Sequence, residues 1–271
     1  MTLAVLWYRK DMGQLWCAAD SRLSKVDGVI TDCGPKIIPV PIVCYKYHKD
    51  ESQKKWLPES THSFGFAFAG SSLAALSTHA IVCACTQALT IKGDVQIPVS
   101  VEEISKLFVS VGERQVLEMS ERLGALDSAH SYFFDFMVFG YCPREHKAKA
   151  FVGVSSLVDS FHINVAELLI GKNNFFVIGS GEQEFVRLIK EADGMPGNGV
   201  MTALNTMLKQ ETRADVGGNF QIGVVDKKGF RLAPILDTSN GLDQAKATFL
   251  GMDVTSLSFE GYGIGYEAIK I

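Results

Sequence analysis

The order in which the hydrophobic period changes along the chain limits its fold more than any other feature. Thr2 to Tyr8 is rich in β-branched and aromatic residues, Arg9 to Gln14 reads as a turn, and Leu15 to Ala19 returns as a second strand ending at Asp20. Lys36 to Tyr45 is a short strand whose Pro39 and Pro41 favour an edge or a break. Phe64 to Gly70 alternates large and small, as a strand does when its small face meets something close. The period then becomes helical. Ser71 to Leu89 is apolar with a serine N-cap, and Val101 to Leu126 is amphipathic behind a Ser100/Glu103 capping box, with a bend expected at Gly112. Strands resume at Tyr132–Tyr141, Ala148–Ser155 and Asn174–Gly179. Two helices follow at Glu182–Glu191 and Gly199–Lys209, then a hairpin of Phe220–Val225 and Phe230–Ile235 across Asp226–Gly229.

Strands, two helices, strands, two helices, strands: this order suits an α+β protein in which two antiparallel sheets are covered by helices, a four-layer αββα sandwich. The 271 residues form one domain, 1–271, with a hydrophilic loop inserted at about 46–62 and a Gly-aromatic C-terminal extension at about 237–271 that fits no element. No repeat of solenoid period is present.

Net charge is −4, so nothing favours nucleic acid or an anionic membrane as a partner. Lys46, Lys49, Lys54 and Lys55 are interleaved with Asp50 and Glu51, the pattern of a solvated loop. The six cysteines show no paired Cys-x-x-Cys spacing and read as reduced thiols. The six histidines have no metal-ligand spacing either, and His79, on an apolar helix, reads as a core histidine. No metal and no cofactor are expected. The N-terminus lacks the layout of a signal peptide, and no apolar run approaches the roughly 18 residues of a membrane span. A cytoplasmic protein is the expectation.

Against that background Thr2, directly after Met1, has a chemical meaning. A threonine hydroxyl needs a base, and an α-amine on the same residue titrates near neutrality, at about 7.7–8.0. A nearby ammonium would lower the pKa of both groups, and a buried ammonium needs a carboxylate beside it. Asp20 at the end of one strand and Lys36 at the start of the next supply that pair. Gly70, at a strand-to-helix junction, permits the close approach of a backbone N–H to a developing oxyanion.

Thr2, Ala19-Asp20-Ser21-Arg22, Pro35-Lys36-Ile37-Ile38, Phe68-Ala69-Gly70, Phe139-Gly140-Tyr141 and Ile178-Gly179-Ser180-Gly181 occur in an order and spacing that resembles the proteasome β-subunit and bacterial heat-shock peptidase family of N-terminal nucleophile hydrolases. The resemblance runs from about Thr2 to Ile235. It implies the αββα fold and a threonine peptidase that works after Met1 is removed. Thr2 would be nucleophile and base, Lys36 the polarising cation held by Asp20, the Gly70 N–H the oxyanion donor, and Ser180 part of the relay around the Thr2 amine. It further implies stacked homo-oligomeric rings, unfolded polypeptides or peptides as substrates, and an ATP-driven unfoldase as a partner by analogy.

The chain departs from the family pattern before the glycine pair Gly217-Gly218. Arg213 stands where a carboxylate is usual and Val216 where a hydroxyl is usual; Asp215 supplies the carboxylate only through a register shift. These departures keep two alternatives open: a catalytically inactive ring subunit or scaffold of the same fold, and a small-molecule amidase.

Overall fold

Side-chain parity divides the first strand between two cores. In the computed structural model Leu3, Val5 and Trp7 enter one hydrophobic cluster and Ala4 and Leu6 another, because successive strand residues face opposite sides of a sheet. The structure describes residues 3–25, 28–49, 54–92, 97–123, 129–171, 174–191, 198–210, 213–238, 242–257, 259–265 and 267–270.

Strand Ala4–Arg9 pairs antiparallel with Gln14–Asp20 on one side and Phe175–Ile178 on the other. Phe220–Asp226 and Gly229–Ala233 extend the sheet to five strands. A six-stranded sheet runs Phe161–Glu167, Lys147–Leu157, Phe134–Cys142, Lys54–Gly70, Ile37–Lys49 and Leu89–Thr90. Helices α1 (Ser72–Thr86) and α2 (Val101–Leu123) share a cluster with this sheet, built on Phe66, Phe68, Phe108, Phe134 and Phe136. Helices α3 (Glu182–Glu191) and α4 (Asn198–Gln210) share another with the five-stranded sheet, through Phe185, Ile189, Leu204 and Met207. The third cluster takes residues only from strands of the two sheets at its buried centre, among them Cys17, Ile37, Ala67, Met137 and Phe230. The protein is thus mixed α/β. Among the described residues no helix is long and apolar enough to cross a membrane.

Helix starts follow the expected chemistry. Ser71 Oγ accepts the Ala74 N–H at 3.4 Å, and Ser100 Oγ accepts the Glu103 N–H at 3.2 Å. Glu103 does not close a capping box, however; its carboxylate pairs with Arg144 at 2.7 Å. α2 runs unbroken through Gly112, where a bend was expected. That glycine instead lets Phe134 and Ile163 approach: a Cβ there would stand 3.0 Å from Ile163 Cδ1. Pro39 and Pro41 sit where their strand has a sheet neighbour on one side only, and their carbonyls accept from His79 Nε2 at 2.9 Å and Thr86 Oγ1 at 2.7 Å on α1.

Three expectations are corrected. The segment expected as a loop at 46–62 continues the two sheet strands as a hairpin arm, paired from Ile37 opposite Ala67 to Lys49 opposite Lys54 with one register shift between Cys44 and Tyr45; residues 50–53 lie outside the described residues. Its hydrophilic sequence concealed strands because both faces of the arm meet solvent. Tyr47 and Trp56, directly paired, pack as tilted rings with centroids 5.2 Å apart on it while remaining exposed. The C-terminal extension, which fitted no element, contributes Lys246–Phe249, Met252–Asp253 and Ile269–Lys270 to a small sheet with Ile235–Asp237. Finally, Phe161–Glu167, where no strand was expected, is an edge strand in which Phe161, Ile163 and Val165 alternate with His162 and Asn164.

Candidate active site

Asp20 ends its strand beside Phe220 and is fully buried. Its Oδ1 accepts the Leu3 N–H at 3.0 Å and Lys36 Nζ at 2.7 Å. Its Oδ2 accepts the Arg22 N–H at 3.2 Å and the Gly217 N–H at 3.0 Å. Four donors fill the lone-pair capacity of the carboxylate, which is what its removal from water demands.

Lys36 is also fully buried. Burial pushes its ammonium below the ordinary lysine range. The Asp20 charge and hydrogen bond oppose that push, as does the charge of Asp215, while Arg22 adds to it. The backbone at Lys36 is held by a residue that sequence reasoning missed. Gln221 Oε1 accepts the N–H groups of Lys36 and Ile37 at 2.9 and 3.2 Å, and its Nε2 donates to the Gly34 carbonyl at 2.6 Å. The signal was present: a glutamine in Phe220-Gln221-Ile222-Gly223-Val224-Val225 falls on the face between the sheets, where an apolar residue is normal.

Arg22, two residues beyond Asp20, is buried as well. Its guanidinium holds Asp32 through Nε at 2.7 Å and donates to the Ala214 carbonyl at 3.3 Å. The ion pair holds the Asp32 carboxyl below the usual carboxylate range. The Gly217 carbonyl accepts from Ser21 and Arg22, so the 213–218 turn is fastened to the end of the Asp20 strand. A Cβ at 217 would stand 2.4 Å from Arg22 Cζ, so any larger residue there must displace the Arg22 guanidinium.

That turn delivers Asp215. Ser180 Oγ donates to Asp215 Oδ2 at 2.6 Å, and Arg213 grips the same carboxylate with Nε at 2.9 Å and a terminal nitrogen at 3.0 Å. Burial pushes the Asp215 pKa up, but the hydrogen bonds from Arg213 and Ser180 outweigh it and hold the group below the usual range. Val216 is buried in the helix-side core. Ser180 occupies the turn between strand Phe175–Ile178 and α3, and with Gly70 it lines a cleft of about 740 Å³ between the sheets. Gly70 has φ +104°, and a Cβ there would stand 2.5 Å from the Phe133 carbonyl oxygen.

The structure therefore pairs Asp20 with Lys36 and Ser180 with Asp215, links the two pairs through the backbone of the 213–218 turn, and places Gly70 on the wall of the cleft that Ser180 lines. Thr2 lies outside the described residues; its bonded neighbour Leu3 donates to Asp20. His79 is the core histidine expected, half-buried and bonded to Pro39. Among the described residues no group of three His, Cys, Asp or Glu side chains is placed to hold a metal ion.

By sequence the chain matches no protein-family model and no curated protein. By structure it is similar to Anbu (ancestral beta-subunit) from Yersinia bercovieri, with a TM-score of 0.50 and 13% identity, covering 86% of this chain and 82% of that one. It is likewise similar to an Anbu mutant from Hyphomicrobium sp. strain MC1, with a TM-score of 0.52 and 13% identity, covering 86% and 85%. Anbu proteins are proteasome-like but form a family distinct from the bacterial heat-shock peptidase. The family assignment drawn from the motifs is corrected accordingly: the structural neighbours are Anbu proteins, and at 13% identity the likeness shows the fold alone.

Proposed function

We propose that the chain is a peptide-bond hydrolase subunit acting through Thr2 as its first residue, on a four-layer αββα sandwich of the N-terminal nucleophile type. Three separate hydrophobic clusters, one between the sheets and one under each helix pair, support that layering. One observation carries the activity: a single buried oxygen, Asp20 Oδ1, accepts both the Leu3 amide and the Lys36 ammonium. The residue bonded to Leu3 is Thr2, and in this proposal its hydroxyl lies next to that cation.

In this reading the Thr2 α-amine takes the hydroxyl proton as the oxygen attacks the substrate carbonyl. Lys36 lowers the cost of the developing alkoxide, and the Gly70 N–H receives the oxyanion. The amine then gives its proton to the leaving nitrogen, and water hydrolyses the ester left on Thr2. Ser180, fixed by Asp215, steadies the amine. Asp215 thus takes the carboxylate role through the register shift. The amine is free only if Met1 has been removed.

A homo-oligomeric ring acting on unfolded chains or peptides is part of the proposal. α1 contains no charged residue and leaves Leu73 and Ile81 exposed at 54% and 40%, a face that a second copy would cover. Six free cysteines fit a cytoplasmic location. An unfoldase partner rests on analogy alone.

A second reading, an inactive ring subunit, is favoured by Arg213, whose two-point grip occupies both oxygens of Asp215. One experiment decides between them. Intact mass should show Thr2 as the first residue, and a peptide epoxyketone should add one equivalent to it, with Thr2→Ala blocking both adduct and hydrolysis. A Thr2→Ala protein that cleaves fluorogenic peptides at the wild-type rate removes the nucleophile assignment.

A further inference from the structure

The inner faces of the two sheets are sealed along most of their length and part at one end. On strand Phe134–Cys142 the inward positions are Asp135, Met137 and Phe139; the last two are fully buried in the core between the sheets, and Asp135 stands where that core runs out. The neighbouring strand repeats the gradient: Ala150 is fully buried, Val152 half-buried and Val154 43% exposed. Phe176 and Ile178 face them across the gap. This gap is the cleft of about 740 Å³ that Gly70 and Ser180 line, large enough for several residues of an extended chain.

Its chemistry is lopsided. The walls are aliphatic and aromatic, and among the described residues none that lines the cleft is Lys, Arg or His. Two carboxylates enter it, Asp135 in the wall and the exposed Glu182 at the rim. Asp135 Oδ1 accepts the Ser155 N–H at 2.9 Å, and among the described residues no cation pairs with the group. A carboxylate drawn half out of water without a counter-charge is a standing cost, and burial does push its pKa above the usual range. A ligand that lays an apolar stem along Val152, Val154 and Phe176 and sets a cation on Asp135 relieves that cost. Lysine and arginine side chains have this build.

We propose that this cleft is a subsite for a lysine or arginine side chain of the polypeptide substrate, with Asp135 as its specificity-determining residue. The inference rests on the hydrolase reading for its substrate class, and the test separates the two. Blocked peptides identical except for arginine, norleucine or glutamate at one position are titrated calorimetrically into the Thr2→Ala protein. The arginine peptide should bind about tenfold or more tighter than the norleucine peptide, the scale of one charge-assisted hydrogen bond. Asp135→Asn keeps an acceptor for Ser155 and should bring the two affinities together. Val154→Lys, at an exposed position, should do the same by supplying the cation internally and guards against a folding defect at 135. Equal binding of arginine and norleucine peptides, or an arginine preference that both variants leave intact, overturns the subsite. An Asp135-dependent preference in Thr2→Ala, combined with no cleavage of any peptide by the wild type, upholds the subsite and overturns the hydrolase. Cleavage by the wild type with no preference that depends on Asp135 does the reverse.

Discussion

Asp20 and Lys36 form one ion pair, yet the two partners are not equally replaceable. Asp20 Oδ1 and Oδ2 accept two donors each: Leu3 N and Lys36 Nζ on one, Arg22 N and Gly217 N on the other. Asp20→Asn replaces one acceptor oxygen with an NH2 group, so two of those four donors must face another donor. At least one of them is left unpaired, since Arg22 N keeps the Gly217 carbonyl; that costs about 1–3 kcal/mol, and breaking the buried pair with Lys36 about 3–5 kcal/mol, which puts the variant roughly 4–8 kcal/mol below wild type. That is comparable to the whole stability of many proteins, about 5–15 kcal/mol. Lys36→Met fills a similar volume and leaves Asp20 with three backbone N–H donors, an arrangement that by itself sustains a carboxylate, so its cost should be about 1–3 kcal/mol. Equilibrium urea denaturation of both variants at neutral pH measures the difference, and peptide hydrolysis should be lost in both. Equal destabilisation, or a greater loss in Lys36→Met, would refute the claim that Asp20 is the hub on which the chain start, the cation and the 213–218 turn converge.

Gly70→Ala should lose about 2–3 kcal/mol by thermal or chemical unfolding, because φ +104° is strained for alanine and its Cβ would press on the Phe133 carbonyl that accepts the Ser71 N–H; an unchanged midpoint would contradict that contact. Asp215 has a depressed folded-state pKa, so its stabilising contribution is complete above the unfolded value of about 3.9 and disappears as pH falls through the folded one. The urea midpoints of wild type and Asp215→Asn should therefore differ at pH 7 and converge as pH drops below about 4, and a constant gap counts against the ion pair. Asn219 Nδ2 donates to the Gly251 carbonyl at 2.8 Å and ties the C-terminal strands to the loop beside the site. Asn219→Ala should cost about 1 kcal/mol and speed limited proteolysis within residues 242–257; unchanged cleavage would show that other contacts carry the docking.

Much of the fold could be read locally. α3 begins and ends at the expected residues, α1 begins at its serine cap, and the strand runs at Ala4–Arg9, Gln14–Asp20 and Phe220–Asp226 alternate as a half-buried or sandwiched sheet requires. The hairpin arm beyond Tyr45 was hidden because its strands are defined by hydrogen bonds to each other and not by a buried face. The strand Phe161–Glu167, by contrast, was legible, since Phe161, Ile163 and Val165 alternate with His162 and Asn164 as a half-buried strand requires. At the site, Asp20, Lys36 and Ser180 were legible through spacing. Asp215 was readable only as one of two registers, and Gln221 was passed over because a single polar residue in an apolar strand says nothing about what it will meet.

The sequence by itself determined where most strands and helices alternate and which residue types could form an N-terminal hydroxyl catalyst. Those are properties of local period and side-chain chemistry. Tertiary structure alone decided that Asp215, rather than a residue one or two positions away, meets Ser180, and that one carboxylate gathers donors from positions 3, 22, 36 and 217. Such contacts join segments up to 197 residues apart. They exist because two sheets pack face to face, and no local pattern specifies which residues that packing will bring into line.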